Sequence, residues 1–163
     1  MVGEDTKIRR DHGHPYKNID PFEIPEKADK TLNEYWDIAE SLGITTFLLY
    51  GTCLGFVRDG GYIKGDNDID VGILGGLDEL IVKLVEDGFI KKGVWPERGN
   101  CHFFKHDTLL DIWFTFPNHT FLQSFSKVAY KGRSYNIPNP IEKFLEISYG
   151  DWKVPSSQKG MRR

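Results

Sequence analysis

Three aspartates fall within five residues at Asp66-Asn67-Asp68-Ile69-Asp70, directly before a short apolar run. Like charges this close repel, and burying a carboxylate without a partner is costly. From Asp68 the pattern alternates, so Asp68, Asp70 and Gly72 take one face of a strand while Ile69, Val71 and Ile73 take the other. Such a strand docks its apolar side on a core and turns two carboxylates toward a cleft. Residues two apart lie roughly 6.6 Å apart along a strand, close enough for both carboxyl groups to converge on one hard cation or a close pair. A divalent metal would relieve the repulsion. A solvated acidic turn before a strand has the same composition. A calcium loop of the EF-hand kind shares the spacing of Asp66, Asp68 and Asp70, but it needs Gly at its sixth position and Glu at its twelfth, where this chain has Val71 and Leu77. That reading is set aside.

Upstream, Thr45 to Tyr50 is a β-branched and aromatic run suited to a buried strand, and Gly51 stands where the chain must turn into a short helix reaching about Arg58. The pair Gly51-Thr52 thereby sits at a helix N-terminus. Backbone amides there favour an anion, with the Thr52 hydroxyl as a further donor. Downstream, Asp111 is flanked by Leu109, Leu110, Ile112, Trp113 and Phe114, surroundings that penalise an unpaired charge. By itself it reads as a strand acid bonded to nearby backbone. Joined to Asp68 and Asp70, it makes three carboxylates from two strands, the usual grip for magnesium in phosphoryl or nucleotidyl transfer.

The elements that must position these residues follow from periodicity and punctuation. Residues 1–24, rich in charge, Pro, His and Asn, read as an irregular arm containing His12 and His14. A helix then begins with Pro25 in its first turn, carries Ala28, Leu32, Tyr35, Trp36 and Ala39 at helical spacing, and ends at Gly43. Asp68 to Leu74 is the second strand, Leu77 to Asp87 an amphipathic helix, and Phe89 to Val94 a third strand. Cys101 to Lys105 and Leu109 to Phe116 read as strands separated by the turn His106-Asp107-Thr108. Lys127 to Tyr135, broken at Lys131-Gly132, reads as a solvated basic hairpin. Asn139-Pro140 starts a helix with Ile141, Phe144, Leu145 and Ser148 on one face, which Gly150 stops; residues 156–163 read as a frayed tail. One catalytic domain over residues 25–155 is the expected organisation.

With 163 residues, 39% hydrophobic and 28% charged, the chain is sized for one domain with a substantial core. A formal net charge of −3 argues against a protein built to coat nucleic acid, so none is expected as a partner. Cys53 and Cys101 form no Cys-x-x-Cys pair, which leaves zinc-knuckle and redox motifs unsupported. His102, His106 and His119 lack ligand spacing and read as surface or strand histidines. No apolar segment resembles a signal peptide or is long enough to span a membrane, and a cytoplasmic location is expected.

Two stretches carry a family resemblance. Gly51-Thr52-Cys53-Leu54-Gly55-Phe56-Val57-Arg58, followed by Gly61-Tyr62-Ile63 and Asp66-Asn67-Asp68-Ile69-Asp70, resembles the signature of LicD-type phosphotransferases and their fukutin and fukutin-related relatives. Tyr149-Gly150-Asp151-Trp152 with Pro155 is similar to the ending common in LicD proteins. The resemblance implies an α/β (α+β) nucleotidyltransferase-like fold, a small mixed sheet flanked by helices. It implies transfer of a phosphorylated alcohol, such as phosphocholine or a polyol phosphate, from a CDP-linked donor to a sugar or glycan hydroxyl. Carried over by position, Asp68 and Asp70 match the metal-binding pair, Asp111 the later strand acid, and Gly51, Thr52 and Arg58 the donor-phosphate region. Magnesium, with manganese as substitute, is the implied cofactor. Nucleotidyl transfer to a small molecule uses the same carboxylates, and a non-catalytic nucleotide-binding module keeps the same fold, so both stay open at this point.

Overall fold

The computed structural model describes residues 25–155; the expected arm, with His12 and His14, and the expected tail lie outside the described residues. Helix α1 (Pro25–Ser41) buries Ala28, Thr31, Leu32, Tyr35, Trp36, Ile38 and Ala39, the apolar stripe its periodicity requires. Gly43, at φ +71°, turns the chain out of it into strand β1 (Thr45–Leu48). Helix α2 (Tyr50–Asp59), strand β2 (Asp68–Leu74), helix α3 (Leu77–Glu86) and strand β3 (Ile90–Trp95) follow. Strands β4 (Asn100–Lys105) and β5 (Thr108–Trp113) form a hairpin, and β6 (Phe125–Tyr130) with β7 (Arg133–Pro138) forms a second one before helix α4 (Ile141–Tyr149).

The main sheet has the order β1-β2-β5-β4-β3. Among the described strands, only β2 and β5 run parallel, with Asp68 opposite Leu109, Asp70 opposite Asp111 and Gly72 opposite Trp113. The β4–β5 turn uses His106 and Asp107, both at positive φ (50° and 57°), the backbone that a two-residue hairpin loop demands. The sheet is mixed and flanked by helices, as expected of the nucleotidyltransferase-like fold.

One face of this sheet is the core. Ile69, Val71, Ile73, Leu110, Ile112, Cys101 and Phe103 are fully buried there with Leu80 and Leu84 of α3 and the apolar stripe of α1. The opposite face carries Asp68, Asp70 and Gly72 of β2. A Cβ on Gly72 would lie 2.5 Å from the Phe47 ring, so a bare backbone is what lets Phe47 cross the strand beside the aspartates.

The β6–β7 hairpin is solvated at Lys127 and Lys131 as its sequence suggests, but its other side packs on the core. Tyr135 and Ile137 join the core, and Trp36 meets Tyr135 edge-on at 4.9 Å. Lys131 pairs with Asp29 at 2.7 Å, and Arg133 pairs with Asp37 at 2.8 Å. Lys131 and Arg133 answer acids of α1, a match that periodicity within either segment alone does not reveal. Three expected strand edges also move. The β5 ladder stops at Trp113 rather than Phe116, β3 begins at Ile90, and Tyr50 opens α2 instead of closing β1.

Candidate active site

The parallel pairing of β2 with β5 sets Asp70 directly against Asp111. Asp68 precedes on the same face of β2, and one ligand atom from each of the three residues lies within 4.8 Å of the others. Asp70 is fully buried and Asp111 is 4% exposed, whereas Asp68 is partly open. An all-oxygen, anionic donor set of this spacing fits a hard divalent cation. The three acids expected from the sequence thus come together in one place.

Gly51 and Thr52 occupy the first turn of α2. The preceding Leu49 is extended (φ −143°, ψ 163°) and no side chain caps the helix, whose first internal bond runs from Cys53 N–H to the Leu49 carbonyl. The amides before it are those a helix leaves for an outside acceptor. Thr52 is buried, and its hydroxyl oxygen accepts the Asp70 N–H at 2.9 Å. The reason lies in the ladder: pairing of β1 with β2 ends at Leu48 opposite Val71, and Leu49 N–H then donates to the Asp70 carbonyl. Thr52 supplies the acceptor that a longer β1 would have supplied. The hydroxyl expected to face a phosphate therefore binds the helix to the strand that carries Asp70.

Arg58 stands six residues beyond Thr52, roughly 9 Å along the helix axis. Its guanidinium forks onto Asp59, with Nε and Nη2 donating at 2.8 and 2.9 Å, and Nη1 donates to the Trp152 carbonyl at 3.4 Å. Hydrogen bonding to Asp59 raises its pKa further. Trp152 packs with Leu54 and Leu145, so the Tyr149-to-Pro155 ending rests against α2. The structure brings Gly51 and Thr52 to the aspartates and leaves Arg58 at the far end of the helix.

Two further residues belong to the site. Asn100, fully buried on β4, donates through Nδ2 to Asp111 Oδ1 at 2.8 Å, and His102 Nε2 lies 3.5 Å from the same oxygen. His102 is opposite Asp111 in the β4–β5 ladder, and Trp95 stands edge-on to its ring at 4.7 Å. From the sequence alone His102 reads as a surface or strand histidine, and Asn100 belongs to no motif. The available signal was alternation: with Cys101 and Phe103 committed to the core, Asn100 and His102 must share the face of Asp111. The two thiols offer no rival chemistry, because burial raises both pKa values, that of Cys101 to about 12 with the Asp111 charge adding. At neutral pH both stay protonated, which argues against a thiolate nucleophile.

This is the architecture of the nucleotidyltransferase fold. The chain aligns with the structure of the lincosamide antibiotic adenylyltransferase LnuA, lincomycin-bound, at a TM-score of 0.58 and 18% identity, covering 80% of this chain and 90% of that one. A tRNA-processing enzyme (apo form I) aligns at a TM-score of 0.44 and 22% identity, over 55% of this chain and 23% of that chain. No curated protein gives a sequence match. Residues 43–87 match the family model of the LicD/FKTN/FKRP nucleotidyltransferase domain. The matched stretch contains every candidate site residue named above except Asn100, His102 and Asp111, which the β4–β5 hairpin adds. Among the described residues, no helix is long and apolar enough to cross a membrane.

Proposed function

We propose that this protein is a metal-dependent phosphotransferase that moves a phosphorylated alcohol, phosphocholine or a polyol phosphate, from a CDP-linked donor to a glycan hydroxyl. The observation that carries the reading is the meeting of Asp68, Asp70 and Asp111 within 4.8 Å of one another beside the N-terminus of α2, in a chain whose residues 43–87 match the LicD/FKTN/FKRP model. Asp68, Asp70 and Asp111 would hold magnesium, and manganese in its place. The cation would supply positive charge against the donor diphosphate. The Gly51 and Thr52 amides receive phosphate oxygens, where the helix end favours the charge that builds in the transition state. Arg58 serves the outer part of the donor in this reading, and to do so it has to exchange Asp59 for phosphate.

In the reaction the acceptor hydroxyl oxygen bonds to the phosphorus that carries the alcohol. The bond from that phosphorus to the CMP oxygen breaks, and the hydroxyl proton passes to a carboxylate of the cluster. LnuA is an adenylyltransferase with a similar fold, and nucleotidyl transfer would draw on the same three acids. Product mass separates the two. Incubation with magnesium, CDP-choline or CDP-ribitol and candidate glycans should release CMP and add the phosphoalcohol mass to the acceptor. Pyrophosphate release from a nucleoside triphosphate, with a nucleotide added to the acceptor, would overturn the proposal. Thermal stabilisation by these donors with no turnover on any acceptor would instead point to a binding module.

A further inference from the structure

Strand β5 lies between β4 and β2 in the sheet, so Asp111 has a neighbour on each side. Across β2 it faces Asp70, and across β4 it faces His102, with Asn100 one diagonal step away on the same face. A side chain at the diagonal position of an antiparallel pair is within reach of its neighbour. The orientation of the Asn100 amide follows from chemistry, because an ionised carboxylate only accepts, and so the nitrogen must be the atom that meets it. Asn100 and His102 both gather on Oδ1 of Asp111, at 2.8 and 3.5 Å. That turns Oδ1 toward β4.

We infer that Asn100 is a positioning residue for Asp111: its amide holds one carboxylate oxygen on the β4 side, so that Asp111 presents the other to the cation shared with Asp68 and Asp70. The inference rests on the proposed reading of these three acids as a metal site. A fully buried amide is expensive to keep unless it is used, and its use here is with a neutral donor. A lysine or arginine in its place would neutralise Asp111 and compete with the cation; an amide fixes the carboxylate and leaves its charge intact. The backbone beneath Asn100 is itself pinned, because the neighbouring Gly99 carbonyl accepts the Phe114 N–H at 2.8 Å. The amide is therefore delivered from a fixed point.

The test is Mn2+ binding by the full chain, read by electron paramagnetic resonance, alongside melting in the absence of metal. Asn100→Leu keeps the number and branching of the heavy atoms, though with larger methyl groups, and removes the donor; Asn100→Ser, smaller and with a hydroxyl too short for the contact, serves if leucine unfolds the strand. Removing such an outer partner typically weakens metal binding by about 10–100-fold, and that loss is expected for both variants. Leu110→Ala, a core change on the opposite face of β5, should lower melting and leave Mn2+ affinity as in wild type, which separates positioning from loss of fold. Asp70→Asn should abolish binding. If Asn100→Leu and Asn100→Ser bind Mn2+ like wild type while Asp70→Asn does not, the positioning role is wrong and the metal reading stands. If wild type binds no Mn2+, the metal reading fails and takes this inference with it.

Discussion

The two faces of the central sheet are made by the same strands under opposite rules. Toward α1 and α3, Ile69, Val71, Leu110, Ile112, Cys101 and Phe103 are all fully buried and apolar. On the other side, beside Gly72, Phe104, Leu109 and Trp113, the alternate residues of those strands include Asp68, Asp70, Asp111, Asn100 and His102. Each position on the apolar face stabilises the protein through burial, roughly 1.5–3 kcal/mol for a large side chain. The polar face brings like charges together, which costs stability. The core face supplies the rigidity with which the other face holds carboxylates at separations they would not choose.

The largest effect should come from exchanging one charge of the polar face for an amide. Asp70→Asn is expected to lower transfer on the order of a thousandfold, about 4 kcal/mol of transition-state stabilisation. Melting without metal should hold or rise, because a like charge has been removed. A variant that kept wild-type transfer at saturating magnesium would show that the polar face is no catalytic site. The converse change is Leu110→Ala, next to Asp111 but on the apolar face. It should cost about 2–5 kcal/mol in denaturant unfolding, with the folded fraction retaining its activity. Loss of activity without loss of stability would mean that the two faces are not the separate systems described above.

How far this division shows in the sequence depends on the strand. In β2 the alternation of Asp68, Asp70 and Gly72 with Ile69, Val71 and Ile73 discloses both faces at once. In β5 it is masked, because Thr108, Leu109, Leu110, Asp111 and Ile112 are all buried, and only the chemistry of a lone acid marks Asp111. The β4 residues are the hardest to see. His102 and Asn100 have no metal-ligand spacing in the chain; their relation to Asp111 exists only once the antiparallel register is known. The ion pairs of Lys131 and Arg133 with α1 are hidden for the same reason, since partners about a hundred residues apart share no local pattern. Periodicity and punctuation report elements; pairing between elements is tertiary information.

A smaller effect is expected at the junction of the polar face with α2. Thr52→Val keeps the shape of the side chain and strips the acceptor from the buried Asp70 N–H, a loss of about 1–3 kcal/mol. Thr52→Ser keeps the oxygen and should recover most of it. If the hydroxyl served only a phosphate, valine would raise the donor KM with unfolding unchanged. The geometry expects the unfolding free energy to fall, and amide exchange at Asp70 to quicken with it.

The smallest effect lies at the turn closing the β4–β5 hairpin, and it is set by pH. Glu34 of α1 sits 2.8 Å from Lys105 Nζ and 3.0 Å from His106 Nε2. Burial pushes the Glu34 pKa up, but hydrogen bonds and charge from Lys105 and His106 outweigh it and leave the pKa below the usual 4.5. A carboxylate depressed by folding stabilises the folded state above its unfolded pKa, and that contribution is lost as pH falls through the folded value. Wild type should therefore melt above Glu34→Gln at pH 7, and the gap should close on acidification toward pH 3. The side chain is about one-third exposed, so the gap is worth under about 1 kcal/mol. Transfer activity should not follow it, because the turn lies at the end of the hairpin remote from Asn100. A parallel fall in Mn2+ affinity at neutral pH in Glu34→Gln would show that the turn, and not the core face alone, sets the register that holds Asp111 against Asp70.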